Sequence, residues 1–127
     1  METRYKITGV AGAGAMGRGI AQIAAQAGSL VWLYDTQPEA VRRAIQDLGA
    51  QWDRLQDKGR MDAAAVRAAK ERLRPAASLQ DLAGCELVVE AIIERLDIKK
   101  ALFAELEKIV SPEAVLATNT SDRKSVV

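Results

Sequence analysis

Six residues near the start of the chain, Gly12-Ala13-Gly14-Ala15-Met16-Gly17, restrict its fold more than any other stretch. Before them lies a short apolar run, Ile7 to Ala11, with Tyr5 just ahead of it. Its β-branched residues and its end at a glycine mark a buried strand. From Ala15 the period changes. Met16, Ile20, Ile23, Ala24 and Ala27 share one helical face, and Gly28 is a natural stop. The glycines therefore stand at a strand-to-helix junction in G-x-G-x-x-G spacing. Gly12 permits a tight turn, Gly14 lets the backbone approach a pyrophosphate, and Gly17 lets the helix pack closely on the strand. The helix start adds unpaired N–H groups and a positive dipole end. The spacing alone also serves plain turns, but the strand before it and the helix after it point to dinucleotide binding.

A second apolar run, Leu30 to Tyr34, ends at Asp35, eighteen residues after Gly17. A carboxylate there can accept both hydroxyls of an adenosine ribose and would repel a 2′-phosphate, which favours NAD over NADP. Flavin-binding folds share the same fingerprint, so it does not decide the chemistry. Thr36-Gln37-Pro38-Glu39 reads as a helix start, continued by Val41, Ala44, Ile45, Leu48, Trp52 and Leu55 and ended by Lys58-Gly59. Asp62 can cap another helix with Val66, Ala69 and Leu73 on its stripe. Pro75 stops it. A short strand is expected over Ala76 to Ser78 and a single turn over Leu79 to Ala83. Leu87 to Glu90 is a strand, Leu96 to Val110 a helix and Val115 to Thr118 a strand. This alternation predicts an α/β fold: a Rossmann-type parallel sheet with helices on both faces. An inserted helical hairpin between strands two and three is long enough to project from the domain.

Composition removes other classes. The chain has 127 residues, 18 Lys+Arg against 17 Asp+Glu, one Cys and no His. A near-zero net charge gives no general pull on nucleic acid or membrane surfaces. A single cysteine cannot form an internal disulfide, and without His most zinc sites lack ligands, so no metal is expected. Serine or cysteine triads that need His cannot form within the chain. No run is long and apolar enough for a membrane span, and the N-terminus has no signal-peptide character, so a cytoplasmic location is expected. Trp52 reads as a core or interface anchor, Cys85 as an inert buried thiol, and Arg42-Arg43 as a wet helix face.

The stretches VAGAGAMGRGIAQIAAQAG, LYD, KGRM, LVVEAIIERLDIKKALFAEL and ATNTS together resemble the NAD-binding domain of the 3-hydroxyacyl-CoA dehydrogenases. The likeness runs from about Lys6 to Ser121. ERLDIKKALFAEL and the start of LYDT look like the branch acting on 3-hydroxyadipyl-CoA in phenylacetate breakdown. The resemblance implies that Gly12, Ala13, Gly14, Ala15, Met16 and Gly17 hold the pyrophosphate of NAD and Asp35 the adenosine ribose. It implies that Glu94 and Lys99 contact NAD, and that Asn119 and Ser121 lie beside the nicotinamide. Ser121 also reaches the substrate oxygen, as the catalytic residue within this chain, and Lys58 contacts coenzyme A. Each has an ordinary alternative. Glu94 and Lys99 suit a solvated helix start, Asn119-Thr120-Ser121 suits a helix cap, and Lys58 suits a helix C-terminus.

The implied reaction oxidises a 3-hydroxyacyl-CoA to the 3-ketoacyl-CoA, with hydride passing to NAD. It needs a general base, a histidine in this family, and the chain has none. The sequence therefore divides into an NAD-binding domain over residues 1–121 and a divergent tail over 122–127. The histidine and a helical catalytic and dimerisation domain are expected beyond residue 127. On its own the chain is expected to bind NAD without turnover, and to self-associate through apolar surface that such a domain would cover. A stand-alone NAD-binding or regulatory module is the second reading. A hydroxy-acid dehydrogenase with a lysine base is the third, and VVEAIIERLDIKK speaks against it.

Overall fold

The computed structural model describes residues 5–91 and 96–118. Its elements run β1 (Ile7–Ala11), α1 (Ala15–Gln26), β2 (Leu30–Tyr34), α2 (Pro38–Asp57), α3 (Ala63–Arg72), β3 (Leu73–Pro75), a 3₁₀ turn (Leu79–Leu82), β4 (Leu87–Glu90), α4 (Leu96–Ile109) and β5 (Val115–Thr118). The five strands form one sheet in the order β3-β2-β1-β4-β5, and every neighbouring pair is parallel. The chain steps outward from β1 through β2 to β3, then returns to the other flank of β1. The strand order thus reverses between β1 and β4, where open parallel sheets form a ligand crevice at their carboxyl edge.

Side chains alternate across the sheet and build two cores. Val10, Val31 and Leu33 meet Ala21 and Ala25 of α1, Ala44 and Trp52 of α2, and Val66 and Ala69 of α3. On the opposite face Ala11, Val88 and Leu116 meet Leu82, Cys85, Leu102 and Leu106. Burial pushes the Cys85 thiol up to about 12, so it stays protonated and inert at neutral pH. β2 is apolar throughout, the pattern of a strand covered on both faces of a parallel sheet. Here Val31 and Leu33 are fully buried but Trp32 and Tyr34 only half-buried, because the 3₁₀ turn covers that face less completely than a helix would.

Two expectations are corrected. The short strand falls at Leu73–Pro75, not at Ala76–Ser78. Leu73 leaves the helix with extended backbone and pairs with Val31, while Pro75, lacking an N–H, is tolerated at the end of an edge strand. The hairpin does not stand away from the domain. Trp52, 1% exposed, donates its indole N–H to Gln26 Oε1 at 2.8 Å, and Arg72 Nη1 donates to the Ala25 carbonyl at 2.9 Å. Both bonds tie the hairpin to the last turn of α1. Among the described residues no helix is long and apolar enough to cross a membrane.

Candidate functional site

The glycine loop lies at the carboxyl end of β1, where the strand order reverses. Gly12 has a φ of +124°, a conformation that side chains rarely adopt. Its N–H donates to the Tyr34 carbonyl at 2.7 Å and so carries the β1–β2 ladder one step past the strand. A Cβ on Gly17 would lie 1.7 Å from the Gly12 carbonyl oxygen, which leaves no room for any side chain. This contact sets the first turn of α1 directly against the loop. Gly14 differs. A Cβ there would meet no protein atom within 4 Å, so nothing within the described protein demands a glycine. Gly14, Ala15 and Met16 are exposed, whereas Gly12, Ala13 and Gly17 are buried.

The start of α1 is open to an anion. Gly14 is its N-cap, no side chain caps it, and its first turn carries no acidic residue. The first-turn N–H groups thus lack the side-chain acceptor that helices commonly recruit. Asp35 stands beside this opening. Its Oδ2 accepts the Ala13 N–H at 2.8 Å and its Oδ1 accepts the Gln37 N–H at 2.9 Å. These bonds aim the carboxylate and leave both oxygens with further accepting capacity. An uncapped helix start, open space beside the Gly14 backbone and a fixed carboxylate fit the pyrophosphate and ribose of a dinucleotide.

The other expected residues distribute unevenly. Lys99, in the first turn of α4, is 13% exposed, and its Nζ lies 3.8 Å from Oε1 of Glu90, which is fully buried at the end of β4. Glu90 was not among the expected site residues. The signal that could have found it is a carboxylate closing an otherwise apolar parallel strand. Lys58 is exposed at the far end of α2, about 30 Å along the helix from Pro38. The structure does not bring it to the glycine loop. Glu94, Asn119 and Ser121 lie outside the described residues. Among the described residues no cluster of three His, Cys, Asp or Glu side chains could hold a metal ion.

A family profile described as 3-hydroxyacyl-CoA dehydrogenase, NAD binding domain, matches residues 7–125. A 3-hydroxyadipyl-CoA dehydrogenase of Escherichia coli is 40% identical over 121 residues, covering 95% of this chain and 26% of that protein. A probable 3-hydroxybutyryl-CoA dehydrogenase of Deinococcus radiodurans is 44% identical over 113 residues, covering 89% of this chain and 40% of that protein. A crystal structure of 3-hydroxybutyryl-CoA dehydrogenase from Escherichia coli superposes with a TM-score of 0.90 at 40% identity, covering 94% of this chain and 25% of that one. The chain thus spans roughly a quarter to two fifths of the length of these relatives.

Proposed function

Because the chain belongs to the 3-hydroxyacyl-CoA dehydrogenase family, as its NAD-binding domain, we propose that it is the cofactor half of an enzyme that oxidises a 3-hydroxyacyl-CoA to the 3-ketoacyl-CoA. NAD is the cofactor of this family, and when bound it supplies the hydride acceptor. The loop from Gly12 to Gly17 holds the pyrophosphate, and Asp35 holds the adenosine ribose. The observation that carries the reading is Gly14, whose missing Cβ leaves space at an uncapped helix start beside a carboxylate fixed by two backbone donors.

The remaining roles rest on the family resemblance. Glu94, Lys99 and Asn119 contact NAD, Ser121 contacts both cofactor and substrate oxygen, and Lys58 contacts coenzyme A. The 40% identity to a protein named 3-hydroxyadipyl-CoA dehydrogenase supports a dicarboxylic acyl chain, and a place in phenylacetate breakdown rests on the family resemblance. The imidazole base that the reaction needs is not among the 127 residues. A second reading is a module that binds NAD and leaves catalysis to others. An open reading frame that continues past codon 127 into a histidine-bearing helical domain would decide for the enzyme.

The direct test is a fluorescence titration of the 127-residue chain with NADH and NADPH, repeated with Asp35→Ala. NADH should bind at least tenfold more tightly than NADPH, and the variant should lose roughly tenfold or more, the range for hydrogen bonds to a charged group. The same chain mixed with NAD⁺ and 3-hydroxybutyryl-CoA should produce no NADH. Equal affinity for NADH and NADPH would reject the role given to Asp35, and no binding of either would reject the cofactor site.

A further inference from the structure

Glu90 and Lys99 are each out of place until they are read together. Val88 and Glu90 sit two apart on β4 and point to one face, that of α4. Val88 packs there with Leu102 and Leu106. Lys99 precedes these two leucines at helical spacing and continues their inward stripe. The core on this side of the sheet thus ends, at the carboxyl edge, in a carboxylate and an ammonium instead of two aliphatic side chains. Glu90 is 0% exposed, and a buried carboxylate persists only with compensating partners. Lys99 lies in a first helical turn, where the dipole disfavours a cation.

The location of the pair suggests what it is for. Glu90 pairs in register with Ala11, the residue before Gly12, and on its other side with Thr118, the last residue of β5. It therefore lies under the point where the strand order reverses, on the β4 side, opposite the half occupied by Asp35. The Nζ–Oε1 separation of 3.8 Å is that of an ion pair rather than a tight hydrogen bond. The ammonium has three donors on a side chain that is 13% exposed, so it can serve a further acceptor at the edge.

We propose that Glu90 is a positioning residue: from inside the core it holds the Lys99 ammonium at the β4 side of the crevice, where it donates to the nicotinamide-side ribose or phosphate oxygens of the dinucleotide. The inference rests on the cofactor reading above and adds a residue that contacts no ligand itself. Its signature is selective. Loss of Glu90 weakens the ligand that spans both halves of the crevice and spares one confined to the adenosine half.

The test compares NADH with AMP on wild type, Glu90→Gln, Lys99→Met and the double variant, with thermal melts to establish that each is folded. Glu90→Gln should weaken NADH about fivefold to tenfold and change AMP less than about twofold, the loss of one charge-assisted contact. The double variant should bind NADH no more weakly than Lys99→Met, because Glu90 acts through the lysine. This last comparison also decides the matter if Glu90→Gln alone fails to fold. NADH binding by Glu90→Gln equal to wild type, equal losses for NADH and AMP, or additive losses in the double variant would each overturn the proposal and leave the cofactor reading standing. Failure of the wild type to bind NADH would overturn both.

Discussion

Two glycines of one loop are glycines for opposite reasons. Gly17 is required by the protein, since its Cβ would overlap the Gly12 carbonyl at 1.7 Å. Gly14 is required by nothing within the described protein, since its Cβ would enter open space. Gly17→Ala should therefore lower stability by about 3 kcal/mol, the upper part of the range for overpacking, since a backbone carbonyl cannot rotate away. Gly14→Ala should lower it by only about 1 kcal/mol or less, the penalty of alanine at an N-cap, yet weaken NADH more than tenfold. Thermal melts and NADH titrations of the two variants check this. Two variants that lose stability equally, or a Gly14→Ala that binds normally, would refute the division. Gly9 belongs with Gly17. A Cβ there would come within 3.0 Å of both Cys85 Sγ and Leu82 Cγ, so β1 packs at backbone distance against the segment before β4. No short motif marks Gly9, which is why sequence reading passes over it while finding the other three.

At the scale of elements, the legible parts are those with local punctuation. Gly12 and Gly28, both at positive φ, bracket α1. Asp62 caps α3 by accepting the Ala65 N–H at 2.7 Å, as its place before Ala63 foretells. Asp62→Ala should cost about 1 kcal/mol and lower the melting temperature by a few degrees. NADH affinity should not move, because the hairpin is anchored at the last turn of α1, away from the glycine loop. A melt of the variant and one titration suffice to check both halves. The short strand β3 is not legible in this way. Leu73 continues the apolar stripe of α3, and only pairing with β2 draws it into the sheet. The docking of the hairpin is not legible either. Length alone suggests projection, whereas two polar bonds to Gln26 and Ala25 dock it. Glu90 was hidden because its meaning depends on Lys99, nine residues on and in another element. Of the nominated site, the structure sets Asp35 against the glycine loop and leaves Lys58 apart from it.

At the scale of the whole molecule, α1 leaves apolar surface uncovered. Met16 is 50% exposed and Ile23 70% exposed, one near the glycine loop and the other two turns further along α1. If this surface drives self-association, the weight-average mass in sedimentation should rise with concentration and fall back in Ile23→Gln. A wild-type chain that stays monomeric at every concentration would reject the idea. The strand order has another consequence, for the chain as it is made. Among the described strands β1 comes earliest in the chain and lies in the middle of the sheet. Thr8 finds Val31 early, but its partner on the other side, Leu87, comes much later. Until β4 leaves the ribosome, β1 has one hydrogen-bonding edge with nothing to bind. Such non-local pairing slows folding, and an unpaired strand edge invites association with other chains. The strand that carries the glycine loop is thus also the one most exposed to mispairing during synthesis.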